Sequence, residues 1–267
     1  MKTLAKISLL LLAGLAPFGL RAAIISKAVP YEHDGVALEG YLAYDDNLAS
    51  GAARPGVLVV PEWWGVTDYV KGRARQLAEL GYVAFVADMY GKGVLTDDPA
   101  EAGRLAGQFY GRPLMATRAQ AGLEQLLAVK GVDKNNVAAI GYCFGGSAVQ
   151  ALAFSGARLA GIVSFHGGLV GPTVEQAKQV NGSVLMLNGA ADGFVAASDI
   201  AAFKAALEEA ETDYVWVDFA GAKHAFTNPA ADGIAARTGL GVAYDAVADR
   251  RSWRYMQDFF DEIFHRR

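Results

Sequence analysis

One cysteine, four histidines and several carboxylates placed just beyond apolar runs are the groups in this chain best suited to covalent chemistry. The cysteine, Cys143, lies in the stretch "VAAIGYCFGGSAVQALA", residues 137–153. Apolar, partly β-branched residues lead into Gly141, and an Ala-rich run suited to a helix leaves from Phe144, so the local reading is strand, sharp turn, helix. Gly141, Gly145 and Gly146 surround the thiol at the spacing G-x-C-x-G-G. That is a nucleophile elbow with sulfur in place of oxygen. A nucleophile at the tip of such a turn sits in strained backbone, and the positions two before and two after it must lack a Cβ. The helix that follows aims its N–H groups and positive dipole end at the site, which favours a thiolate and later an oxyanion. A buried structural cysteine is the competing reading.

A thiol needs a base or an electropositive setting, and imidazole is its usual partner. His33 falls in a predicted hairpin turn and His265 at the carboxyl end, both poor positions for a base. His224, in "FAGAKHAFTNP", occupies a loop beyond a strand late in the chain, whereas His166 ends a strand in "SFHGG". The chain order nucleophile, acid, histidine favours His224 as base. His166 is then a structural histidine lining the substrate site. Asp192, in "LMLNGAADGFV", supplies an acid between nucleophile and histidine that can fix the imidazole tautomer. Its alternative is turn chemistry, because Asp before Gly is a common turn pair. Asp88, at another strand end, is expected to bond backbone in the loop that follows. Glu62 can accept the S–H proton if burial raises its pKa, against the plainer reading of a salt bridge. Trp63 and Trp64 read first as cleft packing.

Six apolar runs of strand length, at residues 56–60, 82–87, 137–140, 160–165, 183–187 and 213–219, carry the elements that must position these groups. Helix-like stretches at 68–80, 99–109, 115–129, 144–154, 198–210 and 244–264 alternate with them. The alternation predicts an α/β fold with a mostly parallel central sheet and helices on both faces. Residues 28–45, with a turn at Asp34 and Gly35, predict an antiparallel amino-terminal edge. Ligands in such a sheet bind beyond the carboxyl ends of the strands, where Glu62, Asp88, Cys143, His166, Asp192 and His224 all fall.

The chain has 267 residues, 53% hydrophobic and 19% charged, enough for one large domain. A formal net charge of −4 offers no basic footprint for nucleic acid. A single cysteine forms no internal disulfide, and no Cys/His spacing matches a zinc site. Residues 1–22 have Lys2 and Lys6 ahead of an apolar stretch with Pro17 and then small residues, which predicts a signal peptide cleaved near Ala22 or Ala23. The expected product is an exported, monomeric single domain over residues 23–267 with no membrane anchor.

The ordered set "PEWWGV", "ADMYG", "GYCFGG", "SFHGG", "NGAADGFV" and "KHAFTNP" resembles the dienelactone hydrolase family of α/β-hydrolases, from about Gly35 to the carboxyl-terminal helix. The resemblance implies a Cys143–His224–Asp192 triad that hydrolyses small esters or lactones through a thioester. It further implies that Glu62 contacts the thiol, and that the backbone N–H groups of Trp63 and Phe144 form the oxyanion hole. No metal or organic cofactor is implied. In the family, arginines hold a substrate carboxylate where this chain has Lys92 and Asn228, and Asn lacks an arginine's charge and bidentate fork. Lys92, Asn228, Trp64 and His166 are the candidate substrate contacts, and the expectation is carboxylic ester or lactone hydrolysis without commitment to one substrate. A thioesterase or broad small-ester hydrolase would use the same residues. A non-catalytic binding scaffold would need none of them, and a redox sensor would lack a resolving cysteine.

Overall fold

Val57, Leu58, Val59 and Val60 are all fully buried. Val57 and Val59 join one hydrophobic cluster, Leu58 and Val60 the other. A strand apolar on both sides must lie inside a sheet covered on both faces, and the rest of the chain is arranged around that requirement. The computed structural model describes residues 23–48 and 51–265. The expected signal peptide lies outside the described residues.

The strands are β1 (Ile24–His33), β2 (Val36–Asp45), β3 (Arg54–Val60), β4 (Val83–Val86), β5 (Val132–Tyr142), β6 (Gly161–Phe165), β7 (Ser183–Gly189) and β8 (Tyr214–Phe219). The helices are α1 (Asp68–Glu79), α2 (Pro99–Ala106), α3 (Leu114–Leu127), α4 (Phe144–Phe154), α5 (Val174–Ala177), α6 (Ala197–Glu209), α7 (Ala231–Thr238) and α8 (Ala246–His265). The sheet order is β1-β2-β4-β3-β5-β6-β7-β8. The β1–β2 and β2–β4 pairs are antiparallel and all others parallel. One face is covered by α3, α4 and α6 through residues such as Leu123, Val149 and Phe203. The other is covered by α1 and α8 through Leu77, Met256 and Phe260. No helix among the described residues is long and apolar enough to cross a membrane.

The α/β class, the parallel sheet and the antiparallel edge match the expectation from sequence. Several boundaries do not. β5 begins at Val132 rather than Val137, because Arg54 and Pro55 of β3 pair with Val132 and Asp133. The intervening polar run "DKNN" hides that pairing from an apolarity pattern. The second helix stops at Ala106, short of Phe109, with Gly107 as its cap. Two helices were not anticipated. α5 is a single turn held by a capping box between Thr173 and Gln176, and α7 has no side-chain N-cap and carries Gly233 in its interior.

Candidate active site

At the end of β5 the chain turns at Cys143, which stands at φ 54° and ψ −115° before α4 begins. A non-glycine residue there is strained by about 1–3 kcal/mol and persists only where its surroundings over-determine it. They do so here. The Cys143 N–H donates to Phe165 O at 3.0 Å, and the Cys143 carbonyl accepts from Gly146 N at 2.9 Å and Ser147 N at 3.3 Å. A Cβ on Gly141 would collide with the Gly145 carbonyl, and one on Gly145 with the Val60 carbonyl. The elbow therefore closes only over glycine. His166 and Ala225 also have positive φ, so three of the five such non-glycine residues among the described ones surround the site.

His224 faces this elbow from the loop after β8. Its Nδ1 lies 2.8 Å from Asp192 Oδ2, and both residues are buried. Asp192 Oδ1 accepts from Phe194 N at 2.9 Å, so the carboxylate is held from its own loop as well. Burial opposes a charged ring. Attraction from Cys143 and hydrogen bonds with Asp192 and Cys143 outweigh it and push the His224 pKa up to about 10. The ring is packed edge-on between Phe194 at 5.0 Å and His166 at 5.4 Å. Its loop is pinned where Ala243 N donates to His224 O at 3.2 Å.

His166 does not line the cavity, contrary to expectation. It is fully buried beneath His224, with Nε2 2.7 Å from Thr227 Oγ1. Burial and the charge on His224 hold its pKa well below the usual range, so it sits there as a neutral ring. Thr227 Oγ1 in turn lies 2.6 Å from Tyr69 OH, and Arg73 binds both Thr227 O at 2.7 Å and Asp249 at 2.5 Å. This buried chain ties the His224 loop to α1 and α8.

Glu62 is buried in the wall beside the thiol, but its Oε2 accepts from Asn228 Nδ2 at 2.7 Å, and no hydrogen bond joins it to Cys143 among the described residues. The hydrogen bond described for Glu62 is thus the one from Asn228, while Glu62 and Cys143 line the same cavity. Asn228, expected to touch substrate, does not line the cavity that holds Cys143; its amide N–H donates to Glu62 and its Oδ1 accepts from Ala230 N. Burial raises the Glu62 pKa to about 7, against the Asn228 bond and the His224 charge that favour ionisation. Between the ordinary value of 4.5 and about 7 the folded chain binds more protons than the unfolded one. Stability therefore falls as pH rises through that window, by roughly 3 kcal/mol for a shift of this size. Glu62→Gln cannot ionise, so it should gain on the wild type by roughly 2–3 kcal/mol between pH 4.5 and pH 8, measured from urea midpoints. A gap that stays constant with pH would show that the buried carboxyl titrates normally.

The two residues expected to supply the oxyanion donors, Trp63 and Phe144, both line the cavity that Cys143 lines. Phe144 is the first residue of α4, where an N–H has no partner within the helix. The loop carrying Trp63 is held by Tyr90 OH donating to Trp63 O at 3.1 Å and Gly65 N donating to Glu62 O at 3.2 Å. Neither the Trp63 nor the Phe144 N–H donates to a protein acceptor among the described residues.

Cys143, His224, Glu62, Trp63, Trp64 and Phe144 all line one cavity of about 320 Å³. Lys92 does not. Its Nζ pairs with Glu39 at 3.2 Å on the surface. The reason lies in its loop, which Asp88 draws back onto β2 by accepting from Glu39 N, Tyr90 N and Gly91 N, each at 3.0 Å. Lys92 N also donates to Ala37 O at 2.9 Å. The remaining wall, formed by Tyr110, Leu169, Phe194, Asp199, Ile234, Leu240 and Val242 among others, was not anticipated. Phe194, two residues beyond Asp192, and Leu169, four beyond the end of β6, were parts of it within reach of a strand-end search.

The sequence profile of the dienelactone hydrolase family matches residues 38–264. The chain belongs to the dienelactone hydrolase family. A solved dienelactone hydrolase-like promiscuous phosphotriesterase from metagenomic libraries is 37% identical, covering 90% of this chain and 99% of its own, with a TM-score of 0.84. The structure named m3DLH is likewise 37% identical, covering 91% and 99%, with a TM-score of 0.86. A protein of Aquifex aeolicus (strain VF5), provisionally named a carboxymethylenebutenolidase, is 25% identical over 241 residues, 88% of this chain and 98% of its own. With this family, these relatives and the α/β-hydrolase architecture, the chain is a hydrolase of the dienelactone hydrolase type acting on small molecules.

Proposed function

We propose that this dienelactone hydrolase homologue cleaves carboxylic esters or lactones with Cys143 as nucleophile, His224 as base and acid, and Asp192 as the group that orients and neutralises the imidazolium. The 2.8 Å bond from Asp192 to His224, on a ring that Cys143 also engages at the cavity wall, carries this reading. His224 takes the thiol proton, and the sulfur attacks the substrate carbonyl. The developing oxyanion accepts from the Trp63 and Phe144 N–H groups, donors typically worth a few kcal/mol each. Collapse breaks the C–O bond, and His224 returns the proton to the leaving alkoxide. Water, deprotonated by His224, then attacks the thioester and releases acid and free thiol. An acyl thioester substrate would enter the same sequence with sulfur as leaving atom.

Acid quenching during turnover of p-nitrophenyl hexanoate tests the covalent step. Mass spectrometry of the digest is expected to find a hexanoyl group on the peptide containing Cys143. Turnover with the acyl group on another residue, or with none trapped and no burst of p-nitrophenol, would overturn the thioester route.

A further inference from the structure

Besides the reacting groups, the cavity wall is apolar and acidic. Trp63, Tyr110, Leu169, Phe194, Ile234 and Leu240 are among its lining residues. Its carboxyl groups are Glu62 and Asp199, the latter exposed on the first turn of α6. No Lys or Arg side chain lines it among the described residues. The only nitrogen base is His224, whose charge is already met by Asp192 and Cys143. Two cations considered from sequence or packing are engaged elsewhere: Arg73 with Asp249 and Thr227 O, and Lys92 with Glu39. Arg237 lies in a neighbouring hollow behind Trp64 and Ile234, where Asp68 and Asp97 share the wall.

A carboxylate on the acyl chain would therefore leave water with no counter-charge and would face two acidic side chains. An alkyl chain in the same place is simply buried. We infer that the cavity beside Cys143 selects esters and lactones with an uncharged, apolar acyl part and turns away those carrying a carboxylate, Asp199 acting as a specificity determinant. The volume of about 320 Å³ lies at the small end of the ~300–1,000 Å³ range of ligand pockets, which restricts the class to short chains. The inference rests on ester hydrolysis at Cys143.

The test compares p-nitrophenyl hexanoate with mono-p-nitrophenyl adipate, which differ by a carboxylate in place of the terminal methyl. At low ionic strength kcat/KM is expected to favour hexanoate by about 100-fold. Added salt should narrow the gap by raising the adipate rate, and Asp199→Asn should narrow it by roughly 3–5-fold in the same way. Adipate turned over within about 3-fold of hexanoate would overturn the inference. So would an adipate rate that collapses in Arg237→Ala, because the anion would then be seated in the hollow behind Trp64. Alkylation of Cys143 by iodoacetamide reads the same preference without turnover. Hexanamide should protect the thiol and adipic acid monoamide should not; equal protection overturns charge selection even if neither ester is hydrolysed. Loss of hydrolysis with hexanamide protection intact would instead count against the proposed reaction alone.

Discussion

Replacing Cys143 with alanine is expected to lower kcat/KM for p-nitrophenyl hexanoate by about 10⁴-fold while the chain remains folded. On the proposed route the thiol is the attacking atom, so its removal would force water to attack a carbonyl held only by the proposed oxyanion donors. The fold should tolerate the change. Cys143 is half-buried at the cavity wall, and alanine meets the same backbone requirement at φ 54° that cysteine already meets. Initial rates below KM, together with a thermal melt of both proteins, separate the two effects. A loss under 10-fold in a variant that melts like the wild type would remove the nucleophile assignment and favour a binding scaffold. A large loss of melting temperature would show that the sulfur also holds the elbow.

The second large effect is structural. Gly145→Ala is expected to destabilise the protein by roughly 4 kcal/mol or more, at the extreme of single substitutions. The added Cβ would strike the Val60 carbonyl and come within 2.6 Å of Pro61 O. Both are backbone atoms, so no side chain can turn aside, and relief requires the end of β3 to part from α4. That end leads directly into Glu62 and Trp63, so activity should fall in whatever fraction still folds. Gly193→Ala is the control: it lies in the Asp192 loop, has no atom within 4 Å of the added Cβ and keeps an ordinary φ. It should change stability by no more than about 0.5 kcal/mol. Equal urea midpoints for the two variants would show that the elbow can open without cost.

Much of this site is legible in the sequence because its signals are local. Gly141, Gly145 and Gly146 must be glycine for reasons set within a few residues and one neighbouring strand, so their spacing marks the turn before any packing is known. Apolar runs that bury both faces mark inner strands, and strand ends mark where polar residues converge. Cys143, Asp192 and His224 follow from those rules and from their order along the chain. Asp88 reads correctly too, as a residue that bonds the backbone of its own loop.

The partners and walls were decided by the tertiary structure. The sequence places Lys92 to reach substrate, but its loop is drawn back to β2 and its charge is paired with Glu39. By residue type Asn228 is a poor substitute for an arginine clamp, whereas folding brings it 2.7 Å from Glu62, 166 positions away in the chain. His166 ends its strand as expected, yet the turn that follows sends its ring beneath His224 instead of into the cavity. The apolar wall from α7 and the residues after it was invisible because α7 is short and has no side-chain N-cap. The elbow at Cys143 and the candidates His224 and Asp192 could be read from sequence because backbone sterics and chain order act at short range or through a regular sheet. The cavity's charge and shape came only from the fold, because they depend on which side chains from distant segments compete for the same neighbours.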